Sequence, residues 1–179
     1  PINQFNHVKK LADAAFRTVV TPNVDTIYSQ AWMDLRAEPM IYVHPETDRF
    51  CNMQLLDAWT NTAALIDQPG VYAITTPDWQ GTLPQGVTRV DVPTATVWAI
   101  VRTVLSGTED LPNVYAIQEQ MQLLPLSAYV QGGTYTAPQG TYSPENEFVP
   151  VNKVLSMSPV EFFNTVNALM QENKPAPDD

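Results

Sequence analysis

The apolar positions of this chain change their period along its length. Val24 to Leu35 alternates, with Ile27, Ser29, Ala31, Met33 and Leu35 on one side and Tyr28, Gln30, Trp32 and Asp34 on the other, as in a strand with one buried face. Pro39 to His44 and Arg49 to Trp59 read as two more strands, divided by the turn residues Pro45, Glu46, Thr47 and Asp48. Val71 to Thr75, Thr88 to Val92 and Ala95 to Leu105 follow, the last rich in Val and Ile and long enough to lie centrally in a sheet. After Gly107 the period lengthens. Leu111, Val114, Ile117 and Met121 recur three or four residues apart behind Asp110, which predicts a capped helix ending before Pro125. Ser158-Pro159-Val160-Glu161 is a capping box with proline at the first helical position, and Phe162, Phe163, Val166, Leu169 and Met170 continue it as a second helix. At the start of the chain, Phe5, Val8, Ala12 and Ala15 fall near one stripe with Leu11 beside it, predicting a helix over Ile2 to Arg17 that covers an edge of the core.

This spacing of strands and turns predicts a mainly β domain with a few helices, an antiparallel β-sandwich or jelly-roll-like fold. A chain of 179 residues can bury one sizeable core without staples. A single domain is expected over residues 1–172, including a long arm at about 131–150 rich in Gly, Thr, Ser and Pro, with 173–179, NKPAPDD, as a linker. Sixteen prolines against seven glycines agree with short elements divided by rigid turns.

Charge and motif content narrow the function. Nineteen acidic against nine basic residues give a net charge of −10, a field that repels phosphate backbones, so nucleic acid is not an expected partner. No apolar run approaches the roughly 18 residues of a membrane-spanning helix. The single cysteine, Cys51, excludes an intrachain disulfide and a cysteine-based zinc site, and its place in an apolar strand reads as a small buried hydrophobe. His7 and His44 lie on different elements without a partner at metal-ligand spacing, so no metal and no cofactor is expected. Walker, Gly-x-Gly-x-x-Gly, Gly-x-Ser-x-Gly and His-Glu-x-x-His motifs are absent from the sequence.

Candidate chemistry emerges when strand faces are compared. Tyr28, Gln30 and Trp32, then Asn52 and Gln54, then Trp98 and Arg102, each share a face within their own strand, and together they would line a pocket of amides, rings and one guanidinium. The same mixture also suits a face packed against a neighbouring subunit. Asn23 and Asp25, after Pro22, serve either a turn into the strand or a site beside it. Arg102, inside an apolar strand, requires a carboxylate, with Asp25, Asp34 and Asp57 as candidates, or carbonyl partners, unless it serves to bind an anion. Asp57, at a strand end near Trp59, is a second candidate acid or base beside Asp25.

Several segments in order, TPNVDTIYSQAWMDL, RFCNMQLLDAWTN, GVYAITTPDWQGTLPQGV and PTATVWAIVRTVL followed by LLPLS, resemble the bacterial family known as domain of unknown function 1254, over about Phe16 to Ser127. The resemblance implies a β-rich, jelly-roll-like domain followed by a C-terminal partner domain, domain of unknown function 1214. It also implies export, hence a periplasmic or secreted location. It carries no settled activity, so Asn23, Asp25, Tyr28, Gln54, Asp57, Trp59 and Arg102 are candidates by motif match.

Two functions are therefore expected in competition. One is binding of, or action on, a small polar or carbohydrate-like ligand, with Asn23, Tyr28, Trp32, Asn52, Gln54, Trp59 and Arg102 lining the site and Asp25 or Asp57 as the ionisable group. The other is a non-catalytic assembly module that contacts the partner domain and sister subunits of a homo-oligomer through the 131–150 arm with Tyr129, Tyr135, Tyr142 and Phe148. Whether the chain is an enzyme is left open by its residues.

Overall fold

A computed structural model describes residues 2–13, 15–16, 21–141 and 143–175, with the backbone alone for Asn146. Its strands are β1 (Asn6–His7), β2 (Thr26–Asp34), β3 (Met40–His44), β4 (Cys51–Leu56), β5 (Thr62–Ile66), β6 (Gly70–Thr75), β7 (Val87–Asp91), β8 (Thr96–Val104) and β9 (Gln122–Pro125). The helices are α1 (Leu111–Gln120), α2 (Leu126–Val130), α3 (Pro150–Ser156) and α4 (Pro159–Glu172), with 3₁₀ turns at Thr108–Asp110 and Pro144–Asn146. The protein is mainly β, as its alternating segments require.

Two sheets form. One has five strands in the order β1-β2-β8-β4-β5 and the other four in the order β7-β6-β3-β9. The ladders are antiparallel except for β6 and β7, which run parallel. Between the sheets, Ala31 and Met33 of β2, Met53 and Leu55 of β4, and Val97, Ala99 and Val101 of β8 pack against Met40, Tyr42 and Ile74 of the second sheet. Each Val, Leu, Ile or Met side chain so withdrawn from water contributes about 1.5–3 kcal/mol. A one-residue slip in β2 or β8 would turn these residues outward, so the register is tightly specified.

The other face of the four-stranded sheet is also covered: Ile41, Ala73 and Leu124 pack under Leu83, Leu126, Tyr129 and Tyr135. Helix α1 closes one end of the sandwich with Val114, Ile117 and Gln118 buried. Gln118 Nε2 donates to Val8 O at 3.2 Å and to Ser29 Oγ at 3.3 Å, while its Oε1 accepts from Lys9 Nζ at 2.9 Å. Tyr115 OH donates to Lys9 O. These bonds clamp residues 7–9 along the edge of the first sheet.

Several expectations are corrected. The N-terminal segment is not a helix: Asn6 pairs with Gln30 and His7 with Ser29 as β1, and Val8 N donates to Tyr28 O at 2.9 Å. An open edge of β2 offers backbone partners at long range that local periodicity cannot register. Arg17, where that helix was expected to end, lies outside the described residues. Strand β4 stops at Leu56 rather than Trp59, because Asp57 starts a turn into β5, a strand the apolar pattern did not predict. Asp110 stands at the N-cap of α1 without a side-chain cap bond, its carboxylate being taken up by Arg49. Ser158 does cap α4, its Oγ accepting from Glu161 N at 3.2 Å.

The 131–150 segment has the Pro144–Asn146 turn as its only helical element among the described residues, and α3 begins at Pro150. Its Tyr142, and residues 176–179 of the expected linker, lie outside the described residues. Asn173, the first linker residue, is bonded to the domain: its carbonyl accepts from Trp59 Nε1 at 3.0 Å and its Oδ1 from Thr96 N at 3.1 Å.

Candidate functional site

Strands β2, β8 and β4 are neighbours, and their registers build three rows on the face turned away from the core. Tyr28 pairs with Arg102 and Arg102 with Asn52; Gln30 pairs with Ile100 and Ile100 with Gln54; Trp32 pairs with Trp98 and Trp98 with Leu56. Three segments far apart in sequence thus bring their polar and aromatic side chains onto common ground. The cause is strand alternation: the core takes the odd positions of β2, β4 and β8, which leaves the even ones here.

Arg102 Nη1 donates to Gln54 Oε1 at 2.9 Å, and Gln54 Nε2 donates to Thr62 Oγ1 at 2.7 Å. Because a guanidinium only donates, it requires the amide oxygen to face it, and Thr62 holds the amide that way round. The guanidinium carbon lies 5.7 Å from the centre of the Tyr28 ring. Trp98 stacks on Trp32, which is 52% exposed.

A groove of about 710 Å³ opens on this face. Tyr28, Gln30, Trp98, Ile100 and Arg102 form its floor, and the clamped N-terminal segment with Val8, Lys10, Leu11 and Asp13 forms a wall, completed by Pro22 and Asn23. Ile100 is only 7% exposed although it points away from the core, because the wall covers it. Among the described residues the ionisable groups bordering the groove are Lys10, Asp13, Tyr28 and Arg102.

The structure distributes the sequence-predicted residues unevenly. Asn23, Tyr28 and Arg102 line the groove. Gln54 touches it through Arg102, Asn52 stands beside Arg102 on the sheet, and Trp32 backs Trp98. Asn23 spends its side chain on a turn: Oδ1 accepts from Asp25 N at 2.7 Å and Thr26 N at 3.1 Å, and Nδ2 donates to Thr26 Oγ1 at 2.8 Å. Asp25 is exposed at the strand start and does not line the groove.

Asp57 and Trp59 lie elsewhere. Asp57 is 3% exposed, and its Oδ1 accepts from Trp59 N and Asn61 N, both at 2.9 Å, so its carboxylate anchors the β4–β5 turn. Trp59 bonds Asn173. Neither carboxylate proposed as an acid or base borders the groove. The expected carboxylate partner of Arg102 is likewise absent among the described residues; Asp34 instead holds Arg36 at 2.5 Å. Sequence reasoning missed the Lys10, Leu11 and Asp13 wall, which no local signal announces. Ile100 was visible as an apolar residue on an otherwise polar face.

Cys51 is buried, its Sγ 3.6 Å from Thr103 Oγ1, and burial pushes its thiol pKa up, the setting of an inert cysteine. His44 is buried with Nδ1 against Pro45 O at 2.9 Å and Nε2 against Cys51 O at 3.1 Å. Among the described residues no group of three His, Cys, Asp or Glu side chains is placed to hold a metal ion, and no helix is long and apolar enough to cross a membrane.

Comparison with known proteins adds a family and a fold. Residues 2–125 match the family model described as "Protein of unknown function (DUF1254)", a stretch that contains both sheets and the whole groove. The crystal structure of the VPA0106 protein from Vibrio parahaemolyticus is similar at 28% identity and a TM-score of 0.59, over 70% of this chain and 34% of that one. A putative uncharacterized protein from Burkholderia cenocepacia overlaps at 16% identity and a TM-score of 0.43, over 71% of this chain and 36% of that one. The chain thus spans about a third of the length of each solved relative. No curated protein matches it.

Proposed function

Because the chain belongs to the DUF1254 family, whose description assigns no chemistry, we propose its function from the groove: it is a binding domain for a small organic molecule held on the outer face of the five-stranded sheet. The observation that carries this reading is Arg102, fixed by Gln54 and the Tyr28 ring on the floor of an otherwise largely apolar groove. A volume of about 710 Å³ lies within the roughly 300–1,000 Å³ usual for small-molecule sites. Rings and amides on rigid strands give such a site area and orientation without the cost of ordering loops. Neither Asp25 nor Asp57 borders it, and the Asp13 carboxylate in its wall is engaged by Ala15 N at 2.8 Å, so binding is favoured over acid–base catalysis.

The test is a thermal-shift screen of chemically diverse small molecules against the wild type and Gln30→Trp, which fills the groove from an outward-facing strand position. Ligands that stabilise the wild type and not the filled variant support the reading. Equal stabilisation of both, or no stabilising compound, overturns it.

A second reading rests on α3 and α4, neither of which contains a buried residue. Leu155 is 80% and Phe163 63% exposed, and Val151, Val160 and Leu169 are exposed with them. Apolar surface on this scale marks an interaction face. α4 is tethered at its C-terminal end by Arg36 to Glu172 at 3.3 Å and by the bonds to Asn173. We assign this face to contact with a companion domain of the kind the family resemblance implies, in place of the 131–150 arm, whose Tyr135 packs with Tyr129 on the chain's own four-stranded sheet; this is compatible with ligand binding in the groove.

A further inference from the structure

We propose that the groove takes an organic monoanion, a carboxylate on a flat or hydrocarbon body, with Arg102 as its anchor; this rests on the groove being a ligand site. Among the four arginines of the described residues, Arg36 holds Asp34 at 2.5 Å, Arg49 holds Asp110 at 2.6 Å and Arg89 holds Asp91 at 2.8 Å. Arg102 alone among them has no carboxylate of a described residue within ion-pair distance, in a chain where acidic residues outnumber basic ones nineteen to nine. Its described hydrogen bond, to the neutral Gln54 amide, uses one of five guanidinium donors. A planar fork held still by an amide and a ring is preorganised for the two oxygens of a carboxylate, and less entropy is lost when they arrive.

The charge of the ligand follows from the surroundings. Among the described residues Lys10 is the only other cation lining the groove, and the lining also carries the Asp13 carboxylate. The chain as a whole carries −10. A dianionic phosphate would meet one anchored guanidinium, one lysine in a wall that also holds the Asp13 carboxylate, and a repulsive long-range field. Among the described residues no helix N-terminus or glycine borders the groove to supply backbone donors for it. A single negative charge suits this supply of donors.

The body of the ligand follows from the floor and wall. Ile100 lies one row from Arg102 and Trp98 one row further, and Val8, Leu11 and Ala12 line the wall of the same groove. Trp98 cannot swing freely because Trp32 lies flat against it. A sugar would leave its hydroxyls unpaired against these groups, at a cost of roughly 1–3 kcal/mol for each one buried. A ring or short hydrocarbon chain fits.

The experiment is titration calorimetry of the intact protein with 4-phenylbutyrate and decanoate, their neutral primary amides, and phenyl phosphate, on the wild type, Arg102→Met and the groove-filled Gln30→Trp. The expected result is that each acid binds the wild type at least about tenfold more tightly than its amide, that Arg102→Met removes the difference while keeping the weak binding of the amide, and that Gln30→Trp abolishes both. Acid and amide binding equally in the groove overturns the anion proposal and leaves the groove reading standing. Phenyl phosphate binding tenfold more tightly than the acids overturns it in favour of phosphate. Failure of every probe to bind overturns this ligand class, while the groove itself is judged separately by the diverse screen. The acid–amide comparison on the wild type needs no variant, so it decides the matter even if Arg102→Met does not fold.

Discussion

Trp32 and Trp98 stack face to face on neighbouring strands, their ring centres 5.5 Å apart and their planes 7° from parallel. They are direct partners in the β2–β8 register. Offset ring pairs add about 0.5–1.5 kcal/mol beyond the area they bury. Trp32→Ala and Trp98→Ala are therefore expected to couple by that amount in a double-mutant cycle from urea unfolding. Strictly additive losses would show that the rings share a face without supporting one another.

Gln54 presents its amide oxygen to Arg102 at 2.9 Å. Gln54→Glu would put a carboxylate there in place of the external one. The fold is expected to keep its stability or gain up to about 1 kcal/mol, in the range of partly exposed ion pairs. Carboxylate ligands should bind at least about tenfold more weakly, while neutral ligands change little. Unchanged acid binding in this variant, measured by calorimetry, would remove Arg102 from the site.

Much of this site was legible because β2 and β8 bury one face. Ile27, Ala31 and Met33 alternate with Tyr28, Gln30 and Trp32, and a buried face permits no other register. That Tyr28, Arg102 and Asn52 form one row was a question of strand neighbours, which period does not encode. The groove wall was illegible for another reason. Lys10 and Leu11 are held over the sheet by bonds from α1 and β2 to residues 7–9, and such pairings leave no trace in local sequence. The Asp57–Asn61 turn hid β5 because its left-handed position carries Thr60, at φ 68°, where a glycine would have signalled a hairpin.

Thr60 also gives a stability prediction. A β-branched residue at positive φ is strained, by of order 1 kcal/mol, and is kept there by the bonds of Asp57 around it. Thr60→Gly should raise unfolding stability by about 0.5–1 kcal/mol, less whatever glycine adds to the freedom of the unfolded chain. Asp57→Ala, which leaves two turn amides without their acceptor, should lower it by about 1–3 kcal/mol. A destabilised Thr60→Gly would mean that the threonine side chain supports the turn. Chemical denaturation reads both.

Leu155→Lys and Phe163→Lys address the apolar face of α3 and α4. Both side chains are largely in water, so their replacement should change stability by no more than about 0.5 kcal/mol. Association with a separately expressed companion domain, measured by sedimentation of the mixture, should fall in both, because the lysines interrupt the exposed patch. A loss of several kcal/mol would show that the helices pack on the domain in solution.

The ion pair of Arg49 with Asp110 should be read out by acid. Arg49 Nη1 lies 2.6 Å from Asp110 Oδ2, and the same carboxylate accepts from Asn113 Nδ2 at 2.8 Å and from Ser106 N at 3.0 Å. These donors, the guanidinium first, hold its pKa well below the usual carboxylate range. An unfolded aspartate titrates near 3.9. The stability from this depressed pKa is therefore fully present above about pH 4 and is lost as pH falls from there toward the folded value. His7 moves the other way in charge and acts in a separate window: burial first, then Lys9, lowers its pKa, so the folded state resists its protonation and stability declines below about pH 6.5. Asp110→Asn should thus be less stable than the wild type by a constant amount from neutral pH down to about 4.5, with the gap closing below that. His7→Gln should flatten only the step near pH 6. Unfolding midpoints collected across this range test both, and a gap for Asp110→Asn that persists unchanged into strong acid would show that the carboxylate acts through its shape and hydrogen bonds rather than its charge.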